Sequence, residues 1–342
     1  MQMRVWPMIS LLALACLGCD DAGGGGSDGG AGGGGGGGQV PAPIEGNANT
    51  LAYAAAYDAM AALVAGSGFS GAAIGDPTPF ISGDAATPSQ PGLLSSLWYE
   101  SGDLDAAVGR VRDRRTGLSA DDQVGGRITQ RVSLALTLGG SAEGTGRNGP
   151  RWYGLTVVRA LDQFFLLATW TGLGERSAAG YDRALGALWT ETGSPHGIGA
   201  VIAAADAACG TRHLAAIGET LSAVRADFIA ELANSGLPDA LGRNVIAAGA
   251  LPAYDEAIDT VEGHLTAGLA LAFLHGLDGD IDASVQAAGL AAFEALSARV
   301  RASGVEGADR IPALLDAADP SGVDAGEIRR LVGEALEVSC GG

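Results

Sequence analysis

The sequence predicts an all-α fold: a multi-helix bundle of about ten helices behind a disordered Gly-rich tether. Three observations predict it. Strand signals are scarce, with few Val/Ile/Thr alternations and few hairpin dipeptides. Ala- and Leu-rich segments carry apolar residues at helical spacing, and many open on Ser, Asp or Pro and close on Gly. Apolar residues make up 47% of the 342 residues, ample for a core.

The predicted elements follow in chain order. Residues 51–64 are Ala-rich and periodic, and residues 102–115 place Leu104, Val108 and Val111 at helical spacing. Ser119-Ala120-Asp121-Asp122 has the form of a capping box with Asp in place of Glu, opening a helix to Leu138 that stops at Gly139-Gly140. Pro150 sits where a first helical residue would, and that helix runs to about Thr171, before Gly172. It is strongly apolar from Tyr153 but carries Arg159, Asp162 and Gln163, which fits a buried amphipathic helix better than a membrane span. Further helices are predicted over residues 177–190, 195–208, 212–234, 238–248, 252–275, 281–303 and 325–338. The last has Asp324 as N-cap with Glu327 three residues on. Two loops interrupt the pattern, at residues 66–91 and 139–149. The first holds Phe69, Ile74, Phe80 and Ile81, spaced as in a loop that lies on the body.

Charge and composition remove several function classes. Formal net charge is −19, and all 20 basic residues are Arg, with no Lys. A P-loop, a Schiff-base enzyme and a Ser-Lys dyad all need that amine. The acidic balance argues against nucleic acid as a partner, and against electrostatic adsorption to anionic lipid. No H-E-x-x-H, E-x-x-H di-iron pair or C-x-x-C-H haem site occurs. A glycan-cleaving α/α-barrel would call for an aromatic-lined groove, and aromatic residues are only 5%.

The N-terminus divides the chain into three parts. Residues 1–18 have a basic Arg4 and an apolar run from Val5 to Leu17, shorter than the ~20 residues of a membrane span. The run ends in Cys16-Leu17-Gly18-Cys19, which resembles a bacterial lipobox, with Gly18 as the small residue before the acceptor. Cys16 departs from the usual Leu or Ala at its position, and is itself an alternative acceptor after Ala13-Leu14-Ala15. The resemblance implies lipidation at Cys19, a bacterial cell envelope location and a membrane partner reached through the lipid. Residues 19–46 follow as the acylated Cys and a flexible tether, in which residues 23–38 include 13 glycines. A coil of about 25 residues reaches roughly 25–30 Å. Residues 47–342 form the predicted helical domain. This layout is similar to that of imelysin-like lipoproteins, but their G-x-H-x-x-E motif has no match here, so no activity carries over.

Export leaves Cys209 and Cys340, a pair suited to one disulfide in an oxidising compartment. Each lies beside Gly at the end of a predicted helix, where backbone can adjust; two unrelated thiols are the alternative. Two cysteines are too few for a Cys-rich zinc site.

The metal candidates are His264, His275, Asp278, Asp280 and Asp282. His264 and His275 fall on one face of the same helix but about 16 Å apart, too far to share an ion. Each could be a ligand or acid-base group in the bundle, or a core histidine hydrogen-bonded across helices. Asp278-Gly279-Asp280-Ile281-Asp282 has calcium-loop spacing, but Ala283 stands where the hand needs Gly and Gly289 where it needs Glu. The other reading makes Asp280 or Asp282 an N-cap. Asp255, Asp259 and Glu262 share the opposite stripe, as a cation site or a solvated acidic face. His196 and His213 fall in predicted first helical turns, where solvent exposure explains them as well as a ligand role does. Gly268, Ala272 and Gly276 form a small-residue stripe that lets a neighbouring helix approach. The function these features predict is a lipid-anchored binding or scaffolding protein with a possible envelope protein partner, the alternative being a metal-binding or metal-dependent helical lipoprotein.

Overall fold

A computed structural model describes Pro43, Tyr57, Asp58, Ala61, Ala62, Val64, Leu134, Ala135, Leu138, Gly139 and Ala142, then residues 149–340 apart from 231, 233–236 and 239–243. Cys19, the tether, the expected helix at 102–115 and the loop at 66–91 lie outside the described residues. Those described are overwhelmingly helical, and the fold is all-α.

Helix α1 spans Pro150–Gly174, α2 Ala178–Gly186, α3 Ile198–Cys209 and α4 His213–Val224. Then come α5 at Leu251–Gly276, α6 at Ala283–Ala302, the short α7 at Ile311–Leu315 and α8 at Ala325–Leu336. The caps are local and chemically plain. Ser177 accepts from the backbone N–H of Gly180, Asp282 from Val285 and Asp324 from Glu327, at 3.1, 2.8 and 2.9 Å. Glu327 does not reach back to complete a capping box; its carboxylate takes Arg330 instead. Gly210 ends α3 in the left-handed region, with φ of 68°, a conformation glycine reaches without a Cβ clash.

Three expectations need correction. The described residues within 238–248, which are 238 and 244–248, are not part of an α-helix. Leu237–Pro238 pairs antiparallel with Asn244–Val245, and Ala248–Ala250 is a single 3-10 turn. The stretch is short and carries Pro238, Gly242 and Gly249, too little propensity for an isolated helix. The helix expected over 212–234 changes at Arg225–Ile229 into a π turn, in which Ala230 donates to the Arg225 carbonyl at 2.9 Å. Pro195 does not open α3: it bridges to Trp189, and the helix starts at Ile198. The turn Ala308–Arg310 and helix α7 were not anticipated.

Among the described residues the core is one large apolar cluster with a small satellite of Ala205, Cys209 and Leu271. Helix α1 packs along α6 and α2, while α5 packs on α3 and α4. Phe165, Leu161, Leu173, Ile202, Ile217 and Val261 have at most 1% exposure at the centre. Two crossings depend on the absence of a Cβ. Gly172 of α1 and Gly180 of α2 meet backbone to backbone, each where the other's carbonyl oxygen would be overlapped by a methyl. On α5, a Cβ at Gly268 would stand 2.6 Å from Ile202 Cγ2 of α3. Gly276 has open space at its Cβ position, so the stripe serves a close approach at Gly268 and not at its C-terminal end.

Buried tyrosines tie the helices together through polar tips. Tyr181 donates to the Leu221 carbonyl at 2.9 Å and Tyr254 to the Leu173 carbonyl at 2.6 Å. Tyr57 donates to the Asp162 carboxylate, which also takes Arg159 Nη1 at 3.0 Å. Burial raises the Asp162 carboxyl above the ordinary range, opposed by Arg159, and holds the Tyr57 hydroxyl protonated. Arg159 and Asp162 of α1 thus have buried partners, and among the described residues no helix is long and apolar enough to cross a membrane.

Candidate functional site

The structure gathers the predicted residues differently from the sequence. Cys209 at the end of α3 and Cys340 beyond α8 form a disulfide, with Cα atoms 4.7 Å apart across 131 residues. This is the pairing that their helix-end positions suggested.

His264 and His275 sit on α5 as expected but have unrelated partners. His275 Nδ1 lies 2.8 Å from Asp278 Oδ2. The other oxygen of Asp278 takes Arg329 Nη2 at 2.5 Å, and that same nitrogen donates to the Leu277 carbonyl at 2.8 Å. A guanidinium of α8 therefore stands at the carboxylate that begins the calcium-like spacing. Asp280 is exposed, and Asp282 caps α6. Among the described residues, no three His, Cys, Asp or Glu side chains converge as a metal site.

The acidic stripe on α5 divides. Asp259 is exposed, and Asp255 is half-buried against Arg176 at 3.4 Å. Glu262 is buried at 4% exposure and ion-paired to Arg299 of α6. Arg299 in turn lies over the Trp170 ring, 5.3 Å from its centroid. The solvated-face reading therefore fails at Glu262. A long-range arginine allows this acid inside, and nothing local in the sequence announces it.

His196 is buried rather than exposed. Its Nε2 sits 2.8 Å from the Gly186 carbonyl, an oxygen that can only accept, so this nitrogen carries a hydrogen. Asp58 approaches from the other side, accepting from Gly197 N–H at 3.0 Å, with its second oxygen 3.7 Å from His196 Nδ1. Burial raises the Asp58 carboxyl, and the charge of His196 opposes that shift. The arrangement ties Asp58 to the turn before α3.

His213 is the residue that sequence reasoning undervalued. It opens α4, and its Nδ1 lies 3.1 Å from His264 Nδ1 on α5. The ring centroids are 5.4 Å apart. Asp206, on the last turn of α3, holds the start of α4 in place. Its Oδ1 accepts from His213 N–H at 2.9 Å and from the Thr211 hydroxyl at 2.6 Å, and its Oδ2 accepts from Leu214 N–H at 2.8 Å. Burial depresses His264, the charge of His213 depresses it further, and Asp206 opposes both. Both rings are half-exposed. Such a pair holds one shared hydrogen when both rings are neutral, and protonating both rings would set two cations side by side. A sequence separation of 51 concealed the pairing; the shared signal was only that each carried an imidazole near a helix surface.

The concavities are shallow. A cleft of about 380 Å³ lies between α5, α6 and the end of α8, lined by Thr266, Arg299, Ser303 and Glu337 among others. No family model matches the chain, and no curated protein or solved structure matches it.

Proposed function

We propose that this chain is an exported, lipid-anchored protein of a bacterial envelope, whose helical domain acts as a binding or scaffolding module at the end of a flexible tether. The observation that carries the reading is the union of Cys209 with Cys340, a bond that persists in oxidising compartments outside the cytosol. It agrees with the apolar run from Val5 to Leu17 and with the Gly18-Cys19 acceptor. Acylation at Cys19 and a reach of roughly 25–30 Å would present the acidic body clear of the bilayer surface. A net charge of −19 suits solvation there and disfavours collapse onto anionic headgroups.

Replacing Cys19 tests the anchor. Cys19→Ala is expected to move the protein from the membrane fraction to the soluble envelope fraction, and the wild type is expected to carry acyl mass at its mature N-terminus. Retention of the variant on membranes after a high-salt wash, or an unacylated wild type, overturns the reading.

A further inference from the structure

We propose that His213 and His264 form a two-nitrogen site for a divalent first-row transition metal, of the imidazole-preferring group that includes Zn²⁺, Cu²⁺ and Ni²⁺. The site goes beyond the anchoring and binding role, and does not depend on it.

The geometry carries the inference. The two Nδ1 atoms are 3.1 Å apart. With metal–nitrogen bonds of about 2.0–2.1 Å, that separation subtends roughly 95–102° at a shared ion. The value falls between the ~90° of a tetragonal site and the ~109° of a tetrahedral one. An ion at that bond length lies about 40° off the nitrogen–nitrogen line at each ring. Both rings are half-exposed, so water can complete the coordination sphere. The two ligands also come from separate, well-packed helices, α4 and α5, which fixes their spacing.

The surroundings supply what an imidazole pair needs to hold a cation. His213 opens α4, where the positive end of the helix would disfavour one. Asp206 counters this by placing a carboxylate on the first amides of that helix, with both oxygens engaged by His213, Leu214 and Thr211. Asp206 bonds the backbone amide of His213 and not its ring, so it fixes the start of α4 and contributes a negative charge beside the pair. His275 has no such relationship to the pair, since its Nδ1 is taken by Asp278.

The test uses the full-length chain in detergent, stripped with chelator, and Zn²⁺ as the calorimetric probe. About one equivalent is expected to bind, and His213→Gln and His264→Gln are each expected to weaken binding by at least roughly tenfold. Glutamine keeps hydrogen-bonding capacity at both positions, and metal-free thermal melts verify that the variants fold. His275→Gln is expected to bind as the wild type does. A second measurement needs no variant: Cu²⁺ bound to the wild type should show coupling to two equatorial nitrogens by electron paramagnetic resonance. A wild type that binds no Zn²⁺, a Cu²⁺ spectrum without two nitrogens, or affinity lost only in His275→Gln would each show that the two rings are a hydrogen-bonded pair and nothing more.

Discussion

Gly268→Ala on α5 isolates the close approach of two helices in a single methyl. The new Cβ would stand 2.6 Å from Ile202 Cγ2 and 3.1 Å from Cγ1, where ordinary contact begins near 3.4 Å. Ile202 is fully buried, and both atoms branch directly from its Cβ, so the side chain cannot swing a flexible end away. Overpacking of this kind costs about 1–3 kcal/mol, and the short distance argues for ~2–3. Alanine returns up to ~1 kcal/mol through helix propensity, leaving a net loss of about 1–2 kcal/mol. Gly263 is the internal control. It lies on the same helix, exposed, with nothing within 4 Å of its Cβ position. Gly263→Ala therefore gains propensity without a clash and should stabilise by about 0.5–1 kcal/mol. Urea midpoints at matched slopes measure both. Ile202→Ala should cost less in the Gly268→Ala background than alone, a coupling of about 1 kcal/mol or more. If the two glycines respond in the same direction, or if the cycle is additive, α3 and α5 do not meet as described.

Two further outcomes follow from the disulfide and the histidine pair. Cys340→Ser removes a link across 131 residues and should destabilise by up to about 5 kcal/mol in the chain-entropy account, read as a lower urea midpoint that reductant does not lower further. A melt unchanged in the variant would contradict that linkage. His264 titrates lower in the folded chain than its ordinary 6.5, so as pH falls the unfolded chain takes up the proton first. Its contribution to stability is complete above the unfolded value and is lost as pH falls through that value towards the folded one. Urea midpoints between about pH 7.5 and about pH 5.5 should therefore fall more steeply for the wild type than for His264→Gln. Parallel profiles would mean that His213 and burial do not act on this ring.

What the sequence determined by itself was local. Asp282 and Asp324 cap their helices because a carboxylate reaches an amide three residues ahead, and that geometry needs no knowledge of the rest of the chain. Gly210 ends α3 for the same reason. The long helices α1, α5 and α6 were legible from periodicity, since many residues repeat one signal. The disulfide was legible from parity, because the two cysteines outside the proposed export signal and its acceptor have a single possible pairing. The proposed export signal, tether and acylation at Cys19 rest on the sequence alone.

Tertiary structure decided where no short-range rule operates. Leu237–Pro238 and Asn244–Val245 are paired extended segments because weak local preference gave way to pairing with each other. Glu262 and Asp259 lie a turn apart with similar chemistry, yet one is buried and the other wet. The difference is Arg299, thirty-seven residues further on, which packs over Trp170 and brings its charge to Glu262. Gly268 could be marked as a place for close approach, but only the crossing of α3 named Ile202 as the neighbour. The meeting of His213 with His264 belongs to the same class. Periodicity places a side chain on a face of its own helix, while the side chain it touches is set by long-range packing, which one helix's sequence does not encode.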